Sequence, residues 1–293
     1  MLAKDELRYA SPVARENWTP ERARFRNSGW TPHLATMAAY LKRHLELQSE
    51  MLRVFQAAGV PVMTGTDAPF DYVVPGFAVH DELARFVAAG LTPLEALRAA
   101  TLTPASTLGL AGKAGEVAVG MPADLVLLDA DPLADIGATR HVAGVFLHGR
   151  WLAPEVLKQG LDELAQRNRS LEQRMQPLAQ LLDAGSFAEA LALRKPAEPD
   201  ARLDAWLENR VNEAGYARLR AKELDEAVSV LRLNAAAFPR SWNAWDSLGE
   251  ACFELGALDE ALQAYEHLLE LAPDNANGQR MVERILVRLD TSK

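Results

Sequence analysis

Leu34, Met37, Ala38, Leu41, Leu45, Gln48, Leu52 and Phe55 recur every three or four residues, which is the spacing of one helix face. Thr31-Pro32 supplies a start, because Thr caps a helix and Pro fits its first turn, and Gly59 supplies a stop. The pattern therefore predicts one long amphipathic helix ending near Ala58. The short apolar run from Val60 to Thr64 leads into Gly65-Thr66-Asp67, which predicts a short strand with Asp67 at its C-terminal tip. Turn residues fill the stretch from Pro69 to Gly76. A helix is expected from about Phe77 to Ala89, closed by Gly90. Thr92-Pro93-Leu94-Glu95 repeats the cap-then-Pro logic for a helix to about Ala100, and Thr103-Pro104 opens a shorter one. Beyond Gly115 the apolar runs shorten. Ala123–Asp129 and Val142–His148 read as strands, the second turning at Gly149-Arg150 into Trp151-Leu152.

From Pro154 onward the pattern is helical throughout. Residues 155–176 read as a helical connector whose end is marked by Pro177. A repeat then emerges in which Gly215 matches Gly249, Leu224-Asp225-Glu226-Ala227 matches Leu258-Asp259-Glu260-Ala261, and Pro239 matches Pro273. With Trp245, Leu248-Gly249, Ala261, Tyr265 and Pro273 in place, the second copy resembles a tetratricopeptide repeat, a helix-turn-helix unit that stacks on its neighbours. Gly185-Ser186-Phe187-Ala188-Glu189-Ala190 reads as a degenerate earlier copy, and Asn275 to Leu289 as a capping helix. Trp206, Trp242, Trp245, Phe253 and Tyr265 are expected in the core of this stack.

Composition narrows the picture. The 293 residues suffice for about two domains, and 49% hydrophobic content supports ordinary buried cores. No apolar run approaches the roughly 18 residues of a membrane span. The net charge of −9 is concentrated after Pro154 and argues against a nucleic-acid partner. Cys252 stands alone, which leaves no disulfide framework and no cysteine metal site. Residues 1–30 mix charges with Pro12, Pro20 and Gly29 and read as an irregular segment resting on something larger.

Asp67 admits two readings from spacing alone: a carboxylate that caps the following turn, or a metal ligand at the tip of a barrel strand, where such folds carry their chemistry. What surrounds it bears on the choice. Gly65-Thr66-Asp67-Ala68, His80-Asp81-Glu82-Leu83, Ala89-Gly90-Leu91-Thr92-Pro93-Leu94-Glu95-Ala96-Leu97 with Ala99-Ala100-Thr101, and Gly120-Met121-Pro122-Ala123-Asp124-Leu125-Val126 occur in this order. Together they resemble the metal-dependent amidohydrolase superfamily, nearest to its imidazolonepropionase-like and prolidase-like branch.

The resemblance implies hydrolysis of a small amide, dipeptide or cyclic amide by one or two divalent metals, zinc foremost. It casts Asp67 as a metal ligand and as proton acceptor from metal-bound water, and it brings His80 to the mouth of the site as a substrate contact. For His80 the residues leave a second reading open, a helix-start histidine in the surface network of Asp81 and Glu82. The family's other ligands, a His-x-His pair and histidines on middle strands, have no match. The six histidines are His33, His44, His80, His141, His148 and His267, and no two form a His-x-His pair. A catalytic metal needs about three protein ligands, so Asp67 alone cannot hold one. His33 and His44 read as surface or groove residues, and His141 and His148 as structural.

The expected architecture is α/β plus all-α: an incomplete (β/α)8 TIM-barrel remnant with small β-sandwich strands, then an α-helical tetratricopeptide-like domain. The divisions expected are 1–113 for the barrel part, 114–153 for the sandwich strands, 154–176 for the connector and 177–293 for the repeats. The resemblance implies that residue 1 falls inside the barrel. Two function classes follow: the C-terminal portion of an amidohydrolase, inactive until completed and then carrying its metal, or a non-catalytic module whose repeats bind a protein or peptide partner beside an amidohydrolase remnant.

Overall fold

A computed structural model describes residues 5–18, 34–194 and 200–291. The chain divides into two compact units, Met1–Arg169 and Ser170–Lys293.

In the first unit a 3-10 turn, Asp5–Tyr9, precedes the short helix α1, Pro12–Asn17. Trp18, Ala10 and Val74 form a small buried cluster, with Tyr9 stacked on Phe77 at 5.2 Å and the Tyr72 hydroxyl donating to the Trp18 carbonyl. Helix α2 runs Leu34–Ala57, in keeping with the periodicity; its expected start at Thr31-Pro32 lies outside the described residues, as does His33. Gly59 ends it at φ +72°, donating to Gln56 O at 3.0 Å while Val60 donates to Phe55 O at 2.9 Å. That paired reversal satisfies two orphan carbonyls and needs a left-handed residue, which glycine adopts without steric cost. Leu41, Leu45 and Phe55 on the helix's expected inner face are exposed.

Helix α3 spans Ala78–Ala88, α4 Pro93–Ala100 and α5 Leu102–Thr107. At the start of α4 the capping box forms as the sequence predicts: the Thr92 hydroxyl accepts from Glu95 N, and the Glu95 carboxylate accepts from Thr92 N at 2.7 Å. Those bonds to the charged form hold the Glu95 carboxyl below its usual range. Leu83 and Ala96 close the interior together with Ile136, from a second 3-10 turn, Ile136–Arg140.

The sheet has three antiparallel strands in the order β1 (Leu125–Leu128), β2 (Val142–Leu147) and β3 (Arg150–Leu152). Strands β2 and β3 are joined by His148 and Gly149 at φ +49° and +76°, the two-residue turn that suits a right-twisted hairpin. Asp124 Oδ1 accepts from His148 N at 2.6 Å, so His148 is a turn residue. Gly144 is needed for close approach, because a Cβ there would fall 1.9 Å from Trp151 Cη2.

One strand expectation fails. No strand forms between Val60 and Thr66, and among the described residues none of β1 to β3 lies beside it. The segment keeps the inside-outside alternation of a strand, with Val62, Thr64 and Thr66 half-buried and Pro61, Met63 and Gly65 exposed. A strand in a parallel sheet exists through its ladder with neighbours, and past Val60 the backbone bonds that hold it among the described residues are Thr64 N to Ala99 O at 3.0 Å and Gly65 N to Glu82 Oε1 at 2.8 Å.

Helix α6, Pro154–Asp183, links the two units in sequence and overturns the expected stop at Pro177. The proline forfeits one N–H bond, but Leu171, Met175, Leu178 and Leu182 are all buried at helical spacing around it, and that packing outweighs the break. In the second unit follow α7 (Phe187–Leu193), α8 (Ala201–Ala221), α9 (Leu224–Ala237), α10 (Trp242–Leu255), α11 (Leu258–Leu271) and α12 (Ala276–Thr291).

The 34-residue period is visible as repeated contacts. A Cβ on Gly215 would meet Leu231 Cγ at 2.4 Å, and one on Gly249 would meet Tyr265 Cε2 at 2.7 Å, so at the same place in each copy a missing side chain lets paired helices touch. Trp245 donates to Pro239 O at 3.0 Å, and Gln279, 34 residues on, donates to Pro273 O at 2.9 Å. Ser241 caps α10 through Ala244 N, and Asn275 does the same for α12 through Gly278 N. The helix-ending left-handed residue is Lys222 in one copy and Gly256 in the next. Ala190, Ala227 and Ala261 are fully buried. Of the aromatics expected in the core, Trp206, Phe253 and Tyr265 are buried and Trp245 is half-buried, whereas Trp242, at the first position of α10, is 47% exposed. Burial pushes the Cys252 thiol up to about 12, which leaves it an inert core residue.

Candidate functional site

Asp67 lies just past the alternating segment, in a turn closed by Phe70 N donating to Asp67 O at 2.8 Å. Its φ is +51°, a left-handed position that aspartate tolerates better than bulkier residues. The side chain is exposed, and its carboxylate has no hydrogen-bond or ion-pair partner among the described residues. The turn-capping reading of Asp67 therefore finds no bond to support it. Below the turn, Thr66, Val74, Ala78 and Glu82 line a cavity of about 360 Å³ that also touches Tyr72 and Arg85. Neither Asp67 nor His80 lines that cavity.

His80 sits in the first turn of α3, half-buried, with Nδ1 3.0 Å from Thr139 Oγ1. The Thr139 hydroxyl donates to Ile136 O at 2.9 Å, so its proton is committed and it can only accept from the ring. The neutral imidazole therefore carries its proton on Nδ1 and keeps a lone pair on Nε2. Burial, and secondarily the Arg140 guanidinium, hold the ring below the ordinary histidine value. Arg140 itself bridges Glu6 at 2.8 Å and Asp81. Of the acids expected to surround His80, Asp81 belongs to this bridge. Glu82 faces the other way, holding Gly65 N with Oε1 and leaving a buried Oε2 without a partner among the described residues.

The structure thus anchors His80 to the Ile136–Arg140 turn and shows no contact between it and Asp67. The partners that fix these side chains, Thr139 for His80 and Gly65 for Glu82, lie 59 and 17 residues away. No local spacing signals either one. Among the described residues no three His, Cys, Asp or Glu side chains come together to hold a metal, so the residues present do not fit a metal centre. Nor is any described helix long and apolar enough to cross a membrane.

Residues 10–152 match the amidohydrolase family model, and residues 242–275 match that of the tetratricopeptide repeat. An imidazolonepropionase from Thermoplasma volcanium is 40% identical over 86 residues, 29% of this chain and 20% of that protein. A crystal structure of an amidohydrolase is 28% identical, covering 36% of this chain and 25% of the other, with a TM-score of 0.31. Molinate hydrolase is 25% identical, covering 48% of this chain and 31% of its own, with a TM-score of 0.34. The chain spans about a fifth of the length of the imidazolonepropionase it matches. Residues 10–152 are accordingly an amidohydrolase-family domain, and they share the chain with a tetratricopeptide repeat at residues 242–275.

Proposed function

We infer that residues 1–153 are the C-terminal portion of a metal-dependent hydrolase of amide or cyclic C–N bonds, inactive as a 293-residue chain and active once the rest of a (β/α)8 barrel is supplied. The observation that carries the reading is the state of Asp67: an exposed carboxylate without a partner among the described residues, at the end of a segment that alternates like a strand and lacks its neighbours. In a completed barrel that segment is the last strand, residues 114–153 the sandwich, and Asp67 one oxygen ligand among several supplied from outside residues 1–293. His80, neutral with a free Nε2, is suited to contact a small amide, dipeptide or cyclic amide substrate as a hydrogen-bond acceptor. The helices from Pro177 onward serve a separate purpose, binding a protein or peptide partner, and residues 154–176 connect the two.

Metal analysis of the purified chain, with an amidase and dipeptidase assay beside it, tests this. The expected result is no stoichiometric zinc and no hydrolysis. About one tightly held zinc per chain, lost on Asp67→Ala, would overturn the reading that the site is incomplete.

A further inference from the structure

Helix α3 is tied to the Ile136–Arg140 turn at two points. Leu83 is buried in one cluster with Ile136 and Ala96, and one turn earlier the His80 ring meets Thr139, with Nδ1 3.0 Å from Oγ1. An apolar contact and a hydrogen bond between the same two elements hold the imidazole in one orientation. The turn is itself fixed. Asp135 Oδ1 accepts from Gly137 N at 2.8 Å, and Ile136, Ala138 and Thr139 are all buried.

Thr139 is 6% exposed, and its hydroxyl proton is held by Ile136 O at 2.9 Å. In that position the hydroxyl offers the ring lone pairs alone. A water molecule donates as readily as it accepts and would suit either tautomer, whereas this hydroxyl suits one. The other side of the ring differs. Nε2 has no partner among the described residues, and it is not one of the unpartnered atoms shut away from solvent, so an incoming group can reach it. The charged groups that act on the ring, Arg140, Glu6 and Asp81, are joined in one bridge, and among the described residues none of them bonds to either ring nitrogen.

We propose that Thr139 is a positioning residue: it fixes His80 as the Nδ1–H tautomer, and so makes the substrate contact at Nε2 one that takes an N–H or O–H donor and refuses a carbonyl or carboxylate oxygen. The inference rests on the reading of His80 as a substrate contact. Without the Thr139 hydroxyl, Nδ1–H has no acceptor, the proton is favoured on Nε2, and what that nitrogen can bind is reversed. Among amides, one that keeps an N–H satisfies the contact, and a fully N-substituted one does not.

The tautomer can be read in the 293-residue chain itself, with no hydrolysis, from the nitrogen-15 shifts of its labelled imidazoles at about pH 8, where an unprotonated ring is expected. His80→Gln identifies the signals. The expected parent carries its proton on Nδ1 and a bare Nε2. Thr139→Val keeps the branched shape and removes the hydroxyl, and should lower the ratio of Nδ1–H to Nε2–H forms about tenfold or more; Thr139→Ser should restore it. A parent protonated on Nε2 would overturn the proposal, and so would a Thr139→Val chain with an unchanged ratio. Should Thr139→Val lose helical signal, the parent and Thr139→Ser decide, since both must show Nδ1–H. Failure here leaves the reading of an incomplete site untouched, because the zinc measurement decides that one by itself.

Discussion

Gly249 offers a direct test of how the helical repeats hold together. In the middle of α10, replacing glycine by alanine would ordinarily help, by about 1 kcal/mol of helix propensity. Here the new methyl would lie 2.7 Å from Tyr265 Cε2 and 2.9 Å from Cδ2 and Cζ. Carbon atoms sit comfortably at about 3.5–4.0 Å, so the overlap approaches 1 Å. Tyr265 is 1% exposed and cannot swing into water. Overpacking a filled core costs about 1–3 kcal/mol, and the confinement of the ring places this case at the upper end. The net expectation for Gly249→Ala is a loss of about 1–2 kcal/mol, or a melting temperature lower by roughly 4–8 °C. Thermal melts of the fragment Ser170–Lys293 followed by circular dichroism would measure it. Tyr265→Val supplies the control, because the valine side chain ends at Cγ, short of all three clashing atoms. In that background Gly249→Ala should become neutral or stabilising. A rise in melting temperature in the parent, or a loss that persists in the Tyr265→Val background, would refute the argument that this glycine exists for the helix contact.

Lys222 occupies in the first copy the left-handed position that Gly256 holds in the second, and a left-handed non-glycine residue costs about 1–2 kcal/mol. Lys222→Gly should therefore stabilise the repeats by about 0.5–1 kcal/mol after the extra chain entropy of glycine, read as a higher urea midpoint; a lower midpoint would contradict it. His80 predicts a pH effect on the first unit. Its folded-state pKa is depressed, so the stability it contributes is complete above the unfolded histidine value of about 6.5 and is lost as pH falls through that value toward the folded one. The urea midpoint of the chain should drop across that window in the parent and less in His80→Gln, and parallel pH profiles would exclude the role of the ring.

The amidohydrolase segments and the repeat could be read from the sequence because each is written in residues close together. Thr92 and Glu95 are three apart and form their capping box wherever the helix starts. Gly215 and Leu231, or Gly249 and Tyr265, lie within one repeat and recur in the next. The failures are of the opposite kind. Val60–Thr66 has the composition of a strand, yet a ladder needs a neighbour, and composition carries no information on whether one arrives. Pro177 carries a local stop signal that the buried row Leu171, Met175, Leu178 and Leu182 overrides. Trp242 is apolar enough for a core, but at the first position of its helix it stays 47% exposed. Around the candidate site, Asp67 and His80 could be picked out as residues. Their surroundings could not, because Thr139 holds His80 across 59 residues and Glu82 turns away from its sequence neighbour toward Gly65.

The coincidence of contacts at a spacing of 34 has a genealogical side. Trp245 with Pro239 and Gln279 with Pro273, Ser241 and Asn275, Lys222 and Gly256 are pairs of interchangeable joints. A crossover between two misaligned gene copies, offset by one period, would delete or add a whole helix pair and still leave matching surfaces at the seam. The first unit has no such freedom, since its ties, such as Arg140 to Glu6 across 134 residues, each join one particular pair. Gene lineages carrying this chain should therefore differ in the length of the helical part by multiples of one repeat, while the part before it changes residue by residue.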